Sequence, residues 1–124
     1  MLTDLRALTF SSMALRQAFE LTRQVAPERI PPGPIASIVL RGSGPDVTAV
    51  VLVQQPGATR LREVEVPAIR LAAMLILFCR KLDIPLPRQA RKRLAIVHEG
   101  GEARLSLLME QSIDVGMRGF ARAG

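Results

Sequence analysis

The sequence predicts an α+β domain in which two helices pack on a mostly antiparallel sheet of four or five strands, in the order αβββαββ. Three observations predict this class. Two stretches carry apolar residues at helical spacing, several short runs are rich in β-branched residues, and glycine- and proline-rich segments separate them. The 124 residues suit one domain, which we place at residues 1–111 and follow with a loosely ordered tail at 112–124.

Residues 5–25 have the spacing of an amphipathic helix. Apolar and small side chains recur at alternating steps of three and four from Leu5 to Thr22, which predicts one buried stripe. Thr3 or Asp4 suits the N-cap, and Pro27 ends the pattern because a residue before proline avoids the α region.

Three strands are predicted next. Residues 35–41 and 47–54 form a hairpin around residues 42–46, which contain Gly42 and Gly44. The second strand is apolar on both faces, which is typical of a central strand. Residues 60–66 alternate and suit a half-exposed strand.

The second half of the chain is predicted to contain a second helix followed by a second hairpin. A helix over residues 67–82 begins at Pro67 and is apolar almost all round, which indicates burial on several sides. Residues 94–98 and 103–110 form a hairpin around Gly100 and Gly101. Each half therefore reads as a helix, an Ile-Pro break and a hairpin. Either the α-β-β unit is duplicated, or two short apolar hairpins look alike by coincidence.

The net charge of +6 is concentrated in one quarter of the chain, because residues 67–98 hold seven basic residues against Asp83 alone. We expect a non-catalytic interaction or adaptor domain that presents the basic cluster of residues 80–93 to an acidic protein partner. If residues 88–93 form a turn of helix, Arg88, Arg91 and Lys92 share one face. The candidate anion- or partner-binding residues are Arg80, Lys81, Arg88, Arg91, Lys92 and Arg93.

The same cluster suits two other anionic partners. As the alternative function, its side chains would bind nucleic acid through phosphate contacts. The chain has no Trp or Tyr, however, so a stacking platform for single strands is not expected. An anionic membrane surface ranks below nucleic acid. A solvated basic rim is the purely structural interpretation.

No catalytic constellation is recognisable, so we do not expect an enzyme, a cofactor or a small-molecule substrate. Cys79 lies in an apolar run, which predicts a buried and inert thiol. His98 precedes a turn and is expected at the surface. One Cys, one His and scattered acids do not make a metal cage.

Hydrophobic residues make up 48% of the sequence, which is more than we expect one small core to hold. This surplus predicts a homo-oligomer, most simply a homodimer, that buries the remaining apolar area. The alternative is a compact monomer whose helices cover the sheet. The single cysteine and the short apolar runs suggest a cytoplasmic protein.

Overall fold

A computed structural model describes residues 2–113 as six strands and two helices. A single 3₁₀ turn, Gly44–Asp46, lies between the second and third strands. The elements in chain order are β1 (Leu2–Phe10), α1 (Ser12–Val25), β2 (Ile35–Arg41), β3 (Thr48–Val53), β4 (Arg62–Val66), α2 (Ala68–Lys81), β5 (Arg91–Glu99) and β6 (Glu102–Ile113).

The predicted helix over residues 5–25 is wrong in its first part. Residues 2–10 form β1, whose backbone pairs along its whole length with β6. Ser11 is the N-cap of α1, and its side-chain oxygen accepts a hydrogen bond from the backbone nitrogen of Ala14 at 3.2 Å. Leu15 and Phe19, on the stripe predicted from the sequence, are buried on α1.

The other elements agree with the sequence, and the class is α+β. The order αβββαββ is confirmed from α1 onward, with β1 added before it. The strands form two antiparallel sheets of three rather than one sheet of four or five. Sheet A has the order β1-β6-β5, and sheet B has the order β2-β3-β4.

The two sheets exchange their outer strands. Each helix follows one strand and precedes one hairpin, so the chain reads as two successive β-α-β-β units. The first strand of each unit pairs with the hairpin of the other unit: β1 joins β6, and β4 joins β3. Each sheet is therefore built from both halves of the chain.

The two units also match in length and in their buried positions. Both helices have 14 residues, each follows its strand after one residue, and residues 26–34 and 82–90 are connections of equal length. Leu15 and Phe19 are buried on α1, and Leu71 and Leu75 are buried at the equivalent positions of α2. The helix-hairpin unit suggested by the sequence is therefore present twice in the fold.

One core joins the two sheets. α1 contacts β1 and β2, whereas α2 contacts β3 and β5, so each helix packs against one strand of each sheet. Val51 of sheet B and Leu107 of sheet A both lie in this core and are fully buried.

The helix α2, which we expected to be buried on several sides, buries Leu71, Met74, Leu75, Phe78 and Cys79 but leaves Ile69 82% exposed. The strand predicted to be covered on both faces does bury both: Val51 faces the core, and Val50 is buried on the opposite face between its register partners Val39 and Glu65. The last strand runs to Ile113, two residues past the expected domain boundary. The rest of the predicted tail lies outside the described residues.

Candidate functional site: a basic groove at the end of α2

The end of α2 is fixed by a turn that reverses the chain. The backbone nitrogen of Ile84 donates to the carbonyl of Cys79 at 2.9 Å, and that of Asp83 donates to the carbonyl of Arg80 at 3.1 Å. These are the two hydrogen bonds of a Schellman motif, which places its C′ residue in the left-handed region. Asp83 occupies that position with a φ of 56°.

The chain that follows this turn forms an apolar floor. Pro85 and Pro87 cannot continue a helix. Ile84 and Leu86, which alternate with them, are partly buried and pack against the core, as does Ile76 on α2. The end of α2 and residues 82–90 therefore form a groove that is apolar at its base.

Strand geometry divides the predicted basic cluster between two faces. Residues 91–93 begin β5, so the expected turn of helix there is wrong, and Arg91 and Lys92 do not share a face. Successive side chains on a strand point to opposite sides. Lys92 lies on the side of the buried Leu94, whereas Arg91 and Arg93 lie on the other side of sheet A.

Three of the six predicted residues line one groove of about 620 Å³. Arg80 approaches from α2, Arg88 from the connection, and Lys92 from β5. The Lys92 ammonium donates to the carbonyl oxygens of Pro87 and Ala90, at 3.0 and 3.3 Å, and these bonds anchor it at the groove wall. Asp83 also lines the groove, so three cations there meet one carboxylate.

None of these three cations forms a salt bridge with another side chain of residues 2–113. The groove can therefore bind an anionic group without first breaking an internal ion pair. Apolar side chains at its base can at the same time bury an apolar side chain of the ligand.

The other three predicted residues lie outside the groove. Lys81 is exposed in the last turn of α2, where a cation complements the helix dipole. Arg91 has Glu110 as its register partner on β6, and Arg93 is exposed on the same face of the sheet.

Sequence reasoning missed Asp83 and the apolar base of the groove. The alternation of Ile84 and Leu86 with the two prolines was a usable signal, because a helix-breaking segment with two spaced aliphatic residues suits a connection laid on the core.

The single cysteine and the single histidine lie in different surroundings. Cys79 is fully buried in the core, and burial raises the pKa of its thiol, which favours the unreactive protonated form. His98 is exposed near the end of β5.

A second cavity lies between α1, α2 and β4, with Phe19, Met74 and Leu77 in its wall. Its volume of about 170 Å³ is smaller than the 300–1,000 Å³ typical of small-molecule sites.

Among residues 2–113 there is no group of three His, Cys, Asp or Glu side chains placed to hold a metal ion. Within the same range, no helix is long and apolar enough to cross a membrane.

Comparisons with protein-family models, with curated proteins and with solved structures found no match to this chain.

Proposed function

We propose that the protein is a cytoplasmic, non-catalytic interaction domain whose groove binds an acidic segment of a partner protein. The observation that carries this proposal is the meeting of Arg80, Arg88 and Lys92 over an apolar base, with no salt bridge to any of the three among residues 2–113. Carboxylates on the segment would contact the cations, and an aliphatic side chain would pack on Ile84 and Leu86.

The alternative function, nucleic-acid binding through phosphate contacts, uses the same cations. A broad basic surface binds a duplex best, since the affinity of a protein for DNA grows with the number of phosphates that it contacts at once. Here the predicted cluster is divided between two faces of β5, and Asp83 stands inside the groove. Both features favour a narrow acidic segment over a duplex.

Fluorescence anisotropy tests the proposal with a labelled peptide of alternating glutamate and leucine. The double variant Arg80→Ala/Arg88→Ala should weaken binding roughly tenfold, because each partly solvated ion contact contributes about 0.2–1 kcal/mol. The matched control is Arg91→Ala/Arg93→Ala. It also removes two positive charges, but from the face of β5 that points away from the groove, and it should leave the affinity unchanged.

Asp83→Asn gives the opposite expectation. Asparagine tolerates the left-handed conformation of this position, so the turn is kept while the carboxylate is removed, and peptide binding should tighten. Equal losses in both double variants would contradict the groove. Tighter binding of duplex DNA than of the peptide, with a steep dependence on salt, would favour the alternative.

A further inference from the structure

β1 is an edge strand with one side unpaired. Its nine residues pair with β6 in a continuous register, and no other strand of residues 2–113 lies beside it. It contains no proline and no bulge, and Leu2 and Leu5 are 55% and 60% exposed. A long, regular edge with exposed leucines is a ready template for another strand.

The other edges of the two sheets have features that discourage pairing. β2 has a register shift between Ile35 and Ser37, β4 has only five residues with Glu63 and Glu65 among them, and the 3₁₀ turn Gly44–Asp46 lies against β5. Natural proteins protect sheet edges by irregularity, short length, charge and covering segments. β5 is as long as β1 and pairs in a continuous register, but the 3₁₀ turn lies against it, so within residues 2–113 β1 is the edge that combines length and regular pairing with no such covering turn.

The sequence of β1 is complementary to itself about Leu5. Two copies that run antiparallel and meet at Leu5 bring like residues and opposite charges together. The facing pairs are Leu5 with Leu5, Asp4 with Arg6, Thr3 with Ala7, and Leu2 with Leu8. Each pair occurs twice except the one on the axis, so the contact is two-fold symmetric.

The neighbouring two-fold registers are disfavoured by charge. An axis at Asp4 places two carboxylates directly opposite each other, and an axis at Arg6 does the same with two guanidinium groups. Like charges facing each other across an antiparallel pair are destabilising, whereas opposite charges contribute roughly 0.2–1 kcal/mol per pair. The register about Leu5 is the one that pairs both charges.

We propose that the protein forms a homodimer through β1, with the two copies of sheet A joined into one antiparallel sheet of six strands. The backbone edge of each β1 is satisfied by the other, and the exposed Leu5 side chains meet on the axis. The proposal does not depend on the groove, because β6 separates β1 from β5.

The ion pair that Asp4 and Arg6 form within one chain is compatible with their pairing across the dimer axis. In the single chain, Arg6 Nε donates to Asp4 Oδ2 at 3.2 Å, and the Arg6 side chain is 62% exposed. Residues two apart on a strand are separated by about 6.6–6.8 Å, whereas directly facing residues have Cβ atoms about 4.5–5.5 Å apart. In the dimer each of these side chains therefore starts from a backbone position closer to its oppositely charged partner than within its own strand, so the ion pair can form across the axis.

A charge exchange tests the interface on the full chain. Light scattering coupled to size exclusion should give twice the chain mass of 13.5 kDa. Asp4→Arg and Arg6→Asp should each lower the mass to that of the monomer, because each variant faces like charges across the axis. An equimolar mixture of the two should regain the dimer mass, since every arginine then faces an aspartate. The double variant Asp4→Arg/Arg6→Asp should be dimeric by itself.

Arg41→Asp is the matched control: it makes the same charge change on β2 and should leave the dimer intact. Recovery of the dimer in the mixture also demonstrates that both single variants are folded. A full chain that is monomeric throughout a concentration series would overturn the proposal. So would a dimer that persists in both single variants, since the interface would then lie elsewhere.

Discussion

At the scale of single residues, Cys79 is the side chain whose chemistry the fold most clearly determines. It lies on the buried face of α2 with no exposed surface. We expect the thiol to resist Ellman's reagent in the native protein and to react fully after denaturation, because the thiolate is the nucleophile and burial disfavours it. Rapid reaction of the native protein would contradict the described packing.

The same burial links stability to pH. The pKa of Cys79 is raised above its ordinary value of 9.0 by desolvation, so the unfolded chain loses the thiol proton before the folded chain does. Below this range both states hold the proton, and the thiol has no effect on the pH dependence. As the pH rises through about 9, the free energy of unfolding should fall, since the unfolded state then binds fewer protons. The difference in the free energy of unfolding between the wild type and Cys79→Ala should stay constant below this alkaline range and change only within it, as denaturant titrations at a series of pH values would measure.

At the scale of elements, Gly33 controls how the connection from α1 enters sheet B. It has a φ of 121°, and a Cβ at this position would collide with the backbone oxygen of Gln54 just after β3. Next to it, the Gln54 backbone nitrogen donates to the Pro34 carbonyl at 2.9 Å. The close approach of the two backbones therefore requires glycine.

Gly33→Ala should lower the free energy of unfolding by more than about 2 kcal/mol, because backbone strain and a collision with main-chain atoms add together. Gly57→Ala is the control: its φ of 77° carries strain of about 1–2 kcal/mol, but a Cβ there meets no atom within 4 Å. Urea denaturation of the two variants measures the difference. Equal losses would mean that the contact with Gln54 adds nothing.

Elements also differ in how far the sequence alone predicts them. The hairpins and α2 follow from local signals, namely β-branched runs, turn glycines and Pro67. β1 does not, since Leu5 and Leu8 continue the helical stripe of α1 and its alanine and leucine residues favour a helix. Its strand conformation depends on pairing with β6, roughly a hundred residues away in the chain, and no local pattern reports such a contact.

The candidate site was likewise predicted only in part from the sequence. The count of charges placed a basic cluster between residues 80 and 93, and three of its members line the groove. Which three could not be read from the sequence. That depends on Arg91 beginning a strand, which sends Lys92 to one face and its neighbours to the other, and on the turn at Asp83.

At the scale of the whole molecule, the exchange of β1 and β4 makes the two halves of the chain interdependent. Neither sheet is complete without a strand from the other half, and each helix contacts both sheets. A β-α-β-β half that unfolded alone would remove an outer strand from the sheet left behind. We therefore expect the described domain to unfold in a single cooperative transition.

Leu107→Ala measures this coupling. Leu107 is fully buried on β6 in sheet A, and its truncation should cost about 2–5 kcal/mol. If the sheets unfold together, the slowest-exchanging backbone amides of β3 in sheet B should lose protection by the same free energy, as measured by native-state hydrogen exchange. Ile69→Ala, at a position 82% exposed, should change neither quantity. Unchanged protection of β3 in Leu107→Ala would show that sheet B is stable by itself, and the exchanged strands would then join two independent units.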